Sequence, residues 1–276
     1  MRAFQTLRMR RADFALADFE LLTAALSVLE WRSHNGTVKL VTDSCGLEYI
    51  QNCGLVSAWD EVSPVLDGMD ELGLNEEVFW AGAKLYALAQ EKTPCVMVDL
   101  DFILWRKIDF TAFGNDIAVI HREAVNNEVY PDHHFFRFRD GWQLPSKLDW
   151  SVEACNTALA YFGSQQLVER YVDFAFEFMR HAAGEGLPYM VFAEQRWLAM
   201  LATARQKKIF SLSTLPDLFD GKQRYFTHVW GHKSYLRENP SAADKFCRDC
   251  AERLCYDFPK FAADLSTKAW AAKYFA

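Results

Sequence analysis

Cys95-Val96-Met97-Val98-Asp99-Leu100-Asp101-Phe102-Ile103-Leu104-Trp105 is the stretch that decides the fold class. Its apolar flanks have the length and the composition of a buried strand in an α/β sheet, and are too short for a typical helix. An unpaired buried carboxylate is costly, so two of them here require a cation, strong donors or water at the strand end. Ligands of open α/β folds gather at the carboxyl ends of strands. Positions i and i+2 of a regular strand share a face, which predicts Asp99 and Asp101 pointing together into one crevice. Such hard oxygens suit Mg²⁺ or Mn²⁺ holding a diphosphate. The plainer alternative is a strand ending in two solvated acids.

The 276 residues are 51% hydrophobic, enough for a large core. No Pro/Gly/Ser-rich linker and no repeat interrupts them, which predicts one elaborated α/β domain. A formal charge of −7 disfavours broad nucleic-acid binding. Arg2, Arg8, Arg10 and Arg11 are followed by Asp13, Asp18 and Glu20, a poor signal peptide, and no apolar run is long enough to span a bilayer. The expectation is a cytoplasmic protein, with a peripheral contact at the inner face of a membrane as the alternative. Seven cysteines at irregular spacing predict no disulfides in that compartment. Cys247 and Cys250 form a CxxC with Cys255 beyond, but no second pair completes a zinc site. Ala243, Phe246, Cys247, Cys250, Ala251 and Leu254 recur at helical spacing, so the cysteines are read as facing a core.

Taken in order, the chain predicts a strand at Ala3–Leu7, an amphipathic helix over 14–33 and a strand at Val38–Asp43. A short helix Ser44–Cys53 follows, stopped by Gly54, then a strand at Glu61–Ser63. This alternation is the rhythm of a parallel sheet. A helix over 76–91 carries Trp80, Lys84 and Leu88 near one stripe, and Lys84 read by itself is an ordinary exposed lysine. Asp116–His121 is a further strand. Arg122–Trp150 is polar, aromatic and too long for an ordinary connection; its His133-His134 pair is weak metal evidence, since strand neighbours point apart. Cys155–Gly163 reads as a strand, 165–181 and Pro188–Ala204 as helices. Tyr225–Lys233 reads as a strand running into a turn at Gly231, and Ala242–Cys255 and Ser266–Phe275 as helices.

These pieces, in this order, resemble the GT-A nucleotide-sugar glycosyltransferases. The resemblance is to the retaining group that includes glycogenin and bacterial lipopolysaccharide galactosyltransferases, and closer still to bacterial GT-A-like proteins of unassigned activity. Val41-Thr42-Asp43 resembles the second strand of their nucleotide-binding half. Lys84 stands where they carry a basic residue, and Val98-Asp99-Leu100-Asp101 resembles their D-x-D. Asn156 is similar to the asparagine of their N-x-G strand, and Glu194-Gln195 to their acidic-Gln pair. His228-Val229-Trp230-Gly231-His232-Lys233 resembles their late H-x-x-G-x-x-K motif.

The resemblance implies a GT-A (Rossmann-like) α/β fold with a mixed, mainly parallel sheet flanked by helices. It implies a single domain, with a nucleotide-binding half at 1–121, an acceptor and sugar half at 122–240 and C-terminal helices at 241–276. It implies a metal-dependent, retaining hexosyltransferase using a nucleoside diphosphate sugar, UDP-sugar favoured, with Mn²⁺ or Mg²⁺ on Asp99, Asp101 and His228. Thr42, Asp43, Lys84, Asp99, Asp101, Gly231 and Lys233 would bind the donor, and Asn156, Glu194 and Gln195 would carry the catalytic side. The acceptor would be a glycan, a lipid-linked glycan or a protein, in polysaccharide assembly. Two departures stand out: Asn156-Thr157-Ala158-Leu159 lacks the family's glycines, and one residue fewer separates Gly231 from Lys233. The first favours an alternative, a catalytically silent GT-A-like protein that binds nucleotide or glycan. Asp99-Leu100-Asp101 also resembles the nucleophile motif of haloacid-dehalogenase phosphatases, but Ile103 and the position far from the N-terminus do not fit it.

Overall fold

The computed structural model describes residues 1–10 and 14–276, so Arg11 and Asp13 of the basic N-terminal segment lie outside the described residues. The chain divides into two compact units that interleave in sequence. One comprises 1–65, 99–108 and 224–276, the other 66–98 and 109–223.

In the first unit the strands Ala3–Leu7, Val38–Thr42 and Glu61–Ser63 pair in parallel, with Val38–Thr42 in the middle. The helix Asp18–His34 has Asp18 and Glu20 in its first turn and Arg32 and His34 in its last, the favourable order for its macrodipole. It is not the one-faced helix that its sequence suggests: every residue from Leu21 to Trp31 is buried, as expected of a helix packed on more than one side. The helix Ser44–Asn52 ends as predicted before Gly54, whose φ of +74° few other residues adopt. A separate antiparallel pair joins Phe102–Leu104 to Phe226–His228.

The C-terminal part of this unit departs from expectation. The helix Pro240–Asp257 forms, but the second is Pro259–Leu265, and 266–275 holds only a 3₁₀ turn at Ala272–Tyr274. Proline is well suited to a first helical turn. The Ser266 and Thr267 hydroxyls then bond back to the carbonyls of Ala263 and Asp264, closing the helix where the apolar spacing suggested one beginning.

In the second unit four strands lie in the order Ile209–Ser211, Ile117–Val119, Leu159–Phe162, Cys95–Val98. Ile209–Ser211 runs parallel to Ile117–Val119, and Leu159–Phe162 runs antiparallel to both its neighbours. Parallel pairings thus outnumber antiparallel ones among these and the three strands above, which is the mixed α/β class expected. The helix Gln165–His181 forms as predicted, whereas the helix expected over 76–91 is confined to Gly82–Gln90 and leaves Trp80 before it, 54% exposed. Asp116–His121 shortens to Ile117–Val119. The strand expected over 155–163 is broken: Ala154–Cys155 pairs with Arg122–Glu123, Leu159–Phe162 joins the sheet, and Asn156, Thr157 and Ala158 lie between. The helix expected over 188–204 is interrupted by a π-helical turn at Phe192–Arg196, between Leu187–Val191 and Trp197–Ala204.

Candidate active site

The organising stretch is two strands, not one. Cys95–Val98 ends at Val98, Leu100 and Asp101 form a turn, and Phe102–Leu104 begins again. The Phe102 N–H donates to the Asp99 carbonyl at 3.1 Å, closing the turn. Asp99 and Asp101 are therefore brought together by a reversal of the chain and not by strand alternation.

Within the first unit, the antiparallel register sets His228 opposite Phe102, and the Val229 N–H donates to the Asp101 carbonyl at 3.1 Å. This places a residue far along the chain beside the acidic turn. One ligand atom each from Asp99, Asp101 and His228 lies within 4.8 Å of the others. His228 Nε2 is 3.8 Å from Asp101 Oδ2, and Lys233 Nζ is 2.9 Å from the same oxygen. Asp101 is only 7% exposed. Burial works against its charge, but His228 and Lys233 outweigh it and hold the carboxyl below its usual range. The Asp99 carbonyl accepts from Gln5 Nε2 at 3.4 Å, and Gln5 is itself fixed by Ser27 at 2.7 Å and Trp59 at 2.8 Å. Two carboxylates and an imidazole form a donor set that fits Mn²⁺ and is compatible with Mg²⁺. Among the described residues, no other trio of His, Cys, Asp or Glu converges in this way. Cys247 and Cys250 are buried free thiols on a helix, and Cys255 is an exposed one. His133 and His134 lie with their rings 3.9 Å apart and tilted by 36° in a 3₁₀ turn.

Thr42 and Asp43 are buried and engaged with the chain itself. The Thr42 hydroxyl donates to the Leu7 carbonyl at 2.6 Å. Asp43 caps the helix Ser44–Asn52 by accepting from Gly46 N–H at 2.8 Å. Its other oxygen accepts from the Arg8 guanidinium at 3.2 Å, Met9 N–H at 3.0 Å and Arg10 N–H at 2.7 Å. The pair thus shapes the segment after the first strand. Gly231 sits in open space at the start of the helix His232–Glu238.

The second unit holds a buried polar network. Lys84 is not an ordinary exposed lysine: its ammonium pairs with Glu194, and the Thr157 hydroxyl donates to the same carboxylate oxygen at 2.8 Å. The Tyr171 hydroxyl donates to the Glu194 main-chain carbonyl, holding the π-helical turn that carries Glu194 and Gln195. Asn156 donates to Glu123 at 3.0 Å and accepts from Ala158 N–H at 3.2 Å. Glu123 also binds Tyr130 at 2.8 Å and His121 Nε2 at 3.1 Å. Burial opposes its charge, yet the bonds from His121, Asn156 and Tyr130 prevail and keep its carboxyl at about 2. Tyr130 oxygen lies 2.6 Å from the Gln195 side-chain amide, and burial first, then Glu123, pushes its phenol upward. Arg196, 1% exposed, donates to the carbonyls of Tyr130, Pro131 and Trp150. It thereby pins the long stretch 122–150, which has no long regular element. Sequence reasoning missed Glu123, Tyr130, Thr157 and Arg196. The only hint was the unusual length of that stretch.

A family model described as a family of unknown function, DUF6734, matches residues 4–267. No curated protein is significantly similar in sequence. Solved structures with a similar chain course include the apo form of mouse xyloside xylosyltransferase 1, 11% identical over 77% of this chain and 84% of that one, TM-score 0.42. The PaToxG glycosyltransferase is 12% identical over 99% and 85%, TM-score 0.43. The galactosyltransferase LgtC with donor and acceptor sugar analogues is 11% identical over 70% of each chain, TM-score 0.38. No helix among the described residues is long and apolar enough to cross a membrane.

Proposed function

This chain belongs to the DUF6734 family of unknown function, and we propose that it is a glycosyltransferase using a nucleoside diphosphate sugar and a divalent ion. The observation that carries the proposal is the convergence of Asp99, Asp101 and His228 at one place in the first unit. A diphosphate leaving group departs with negative charge, and a divalent ion on these three residues supplies the Lewis acid that neutralises it. The chain's own part is to hold the two carboxylates by the Phe102–Asp99 turn and to bring His228 to them through the strand register. Thr42 and Asp43 serve the nucleotide indirectly, by fixing residues 8–10. A side chain added at Gly231 would meet nothing within 4 Å, and that open side leaves room for a phosphate beside the backbone. UDP is the favoured nucleotide, and retention the favoured outcome, on the resemblance of the motifs alone.

The assignment of Asn156, Glu194 and Gln195 to the donor sugar is a separate proposal. It draws support from the π-helical turn, a feature frequent at functional sites. A second reading, nucleotide binding without transfer, is favoured by the same network. Both ends of the Asn156 amide and one oxygen of Glu194 are committed to protein partners.

The test is a thermal-shift panel of UDP, GDP, CDP and ADP, each with Mn²⁺ or EDTA, on the wild type, Asp101→Ala and His228→Ala. A shift for one nucleotide, only with metal and only in the wild type, is the expected result. Equal shifts in all three proteins would sink the site assignment. Metal-dependent binding with no hydrolysis of the matching nucleotide sugars would select the silent reading.

A further inference from the structure

Lys233 Nζ sits 2.9 Å from Asp101 Oδ2, closer than His228 Nε2 at 3.8 Å to the same oxygen. Its ammonium is thus on the carboxylate that a divalent ion would use. Asp101 is nearly buried, and a buried carboxylate needs a counter-charge when no metal is present. Lys233 supplies it from the first turn of the helix His232–Glu238. Its side chain is 31% exposed, so one side of it reaches solvent. A lysine is a compact point charge on a flexible stem, well suited to leaving one anion for another. Two cations on one carboxylate oxygen repel each other, so the ammonium and the ion compete there.

We infer that Lys233 is a displaceable latch: it neutralises Asp101 in the metal-free protein, and a divalent ion must expel it to bind. The inference rests on the divalent-ion reading of Asp99, Asp101 and His228. Its consequence is a coupling. The expelled ammonium becomes available to an anionic ligand such as a diphosphate, and an anion that holds Lys233 raises the affinity of the site for metal. Such coupling is reciprocal by thermodynamic necessity.

The experiment titrates Mn²⁺ alone into full-length wild type, Lys233→Met, Lys233→Ala and Asp101→Ala, followed by electron paramagnetic resonance of free Mn²⁺. Both Lys233 variants are expected to bind Mn²⁺ about tenfold more tightly than the wild type, equivalent to about 1.4 kcal/mol, and Asp101→Ala to lose binding. In parallel, wild-type lysines are acylated with an amine-reactive reagent and the modified peptides are quantified by mass spectrometry. Lys233 labelling should rise with Mn²⁺ and saturate with metal occupancy. Mn²⁺ affinity unchanged or weakened in both Lys233 variants, or labelling indifferent to metal, would overturn the latch and leave the metal reading standing. Absence of binding in the wild type and both Lys233 variants alike would overturn the metal reading, and the latch with it.

Discussion

Replacing Arg196 with methionine tests whether the second unit's polar network depends on one buried cation. The guanidinium donates to three main-chain carbonyls at 2.5 to 2.7 Å, those of Tyr130, Pro131 and Trp150. It also lies 5.1 Å from the centre of the Trp150 ring. Hydrogen bonds to charged groups are worth about 1.5–3 kcal/mol each, and carbonyls left unpaired in the interior add a penalty. Three bonds sharing one donor group do not add independently. Against this, removing the charge relieves the cost of burying it, which already pulls the guanidinium below its ordinary range. Methionine fills much of the volume, so cavity formation is a small part. The net expectation is a loss of about 3–5 kcal/mol, a large share of the roughly 5–15 kcal/mol that stabilises a typical protein. Urea unfolding measures it. Hydrogen exchange locates it: amides over 130–150 should lose protection before those of the helix Gln165–His181. Arg196→Lys should recover only part of the loss, because an ammonium lacks the planar fork that spans separated carbonyls. A loss under about 1 kcal/mol, or unchanged protection over 130–150, would refute the view that Arg196 pins this stretch.

Three other outcomes are expected. Glu123 is displaced from an ordinary 4.5 to about 2, and a depressed folded-state value stabilises above the unfolded value and is lost as the pH falls through the folded one. It therefore contributes about 3 kcal/mol near neutrality that fades between about pH 4.5 and 2; acid titration of stability in Glu123→Gln should lack that component. Glu30 is raised to about 7, by burial first and then by its bond and repulsion with Asp257, with Arg253 opposing and His34 at 3.3 Å. Its stabilisation is present below 4.5 and lost as the pH rises through 7, so the melting temperature should fall from pH 5 to 8 in the wild type and less in Glu30→Gln. A Cβ on Gly46 would meet the Thr42 hydroxyl at 2.0 Å and Asp43 Oδ1 at 2.9 Å; Gly46→Ala should cost about 1–3 kcal/mol by calorimetry and increase proteolysis near residues 8–10.

The first-unit site was legible because its parts announce themselves locally. A carboxylate pair between Val98 and Phe102 draws the eye even though two solvated acids at a strand end would also explain it, and a histidine, glycine and lysine within six residues narrow the late motif. What the sequence misstated was the mechanism of convergence. Period-two reasoning placed Asp99 and Asp101 on one strand face, whereas the chain turns at Leu100 and Asp101. That error was invisible from pattern alone, since both geometries put the two acids close together. The helix 18–34 shows the same limit from the other side. Its apolar positions mark one face, but Thr23, Ser27 and Glu30 are buried as well. Thr23 and Ser27 satisfy themselves on the carbonyls of Phe19 and Phe102, a saving that no hydropathy period reports.

The second-unit network was legible only in part, through Lys84, Asn156, Glu194 and Gln195, and the reason the rest was not bears on function. Glu123 and Tyr130 come from one irregular stretch and Asn156 and Gln195 from two other segments, and neither Glu123 nor Tyr130 taken singly is more than an ordinary polar residue. Their meaning lies in satisfaction: Glu123 stays ionised under burial only because His121, Asn156 and Tyr130 bond it together. A buried network is favourable when it is complete and costly when one partner is missing. The glycines missing after Asn156 therefore do not by themselves signal a dead site. Thr157 uses its hydroxyl on the Glu194 oxygen that also holds Lys84, so the bulkier residue is a member of the network and not an obstruction to it. Thr157→Gly should consequently leave Glu194 with one donor fewer and lower stability, where a mere intruder would have been removed at no cost. Thr157→Ser, which keeps the hydroxyl, should restore most of the difference in a urea titration. Equal stability of Thr157→Gly and wild type would mean that the hydroxyl has no such part.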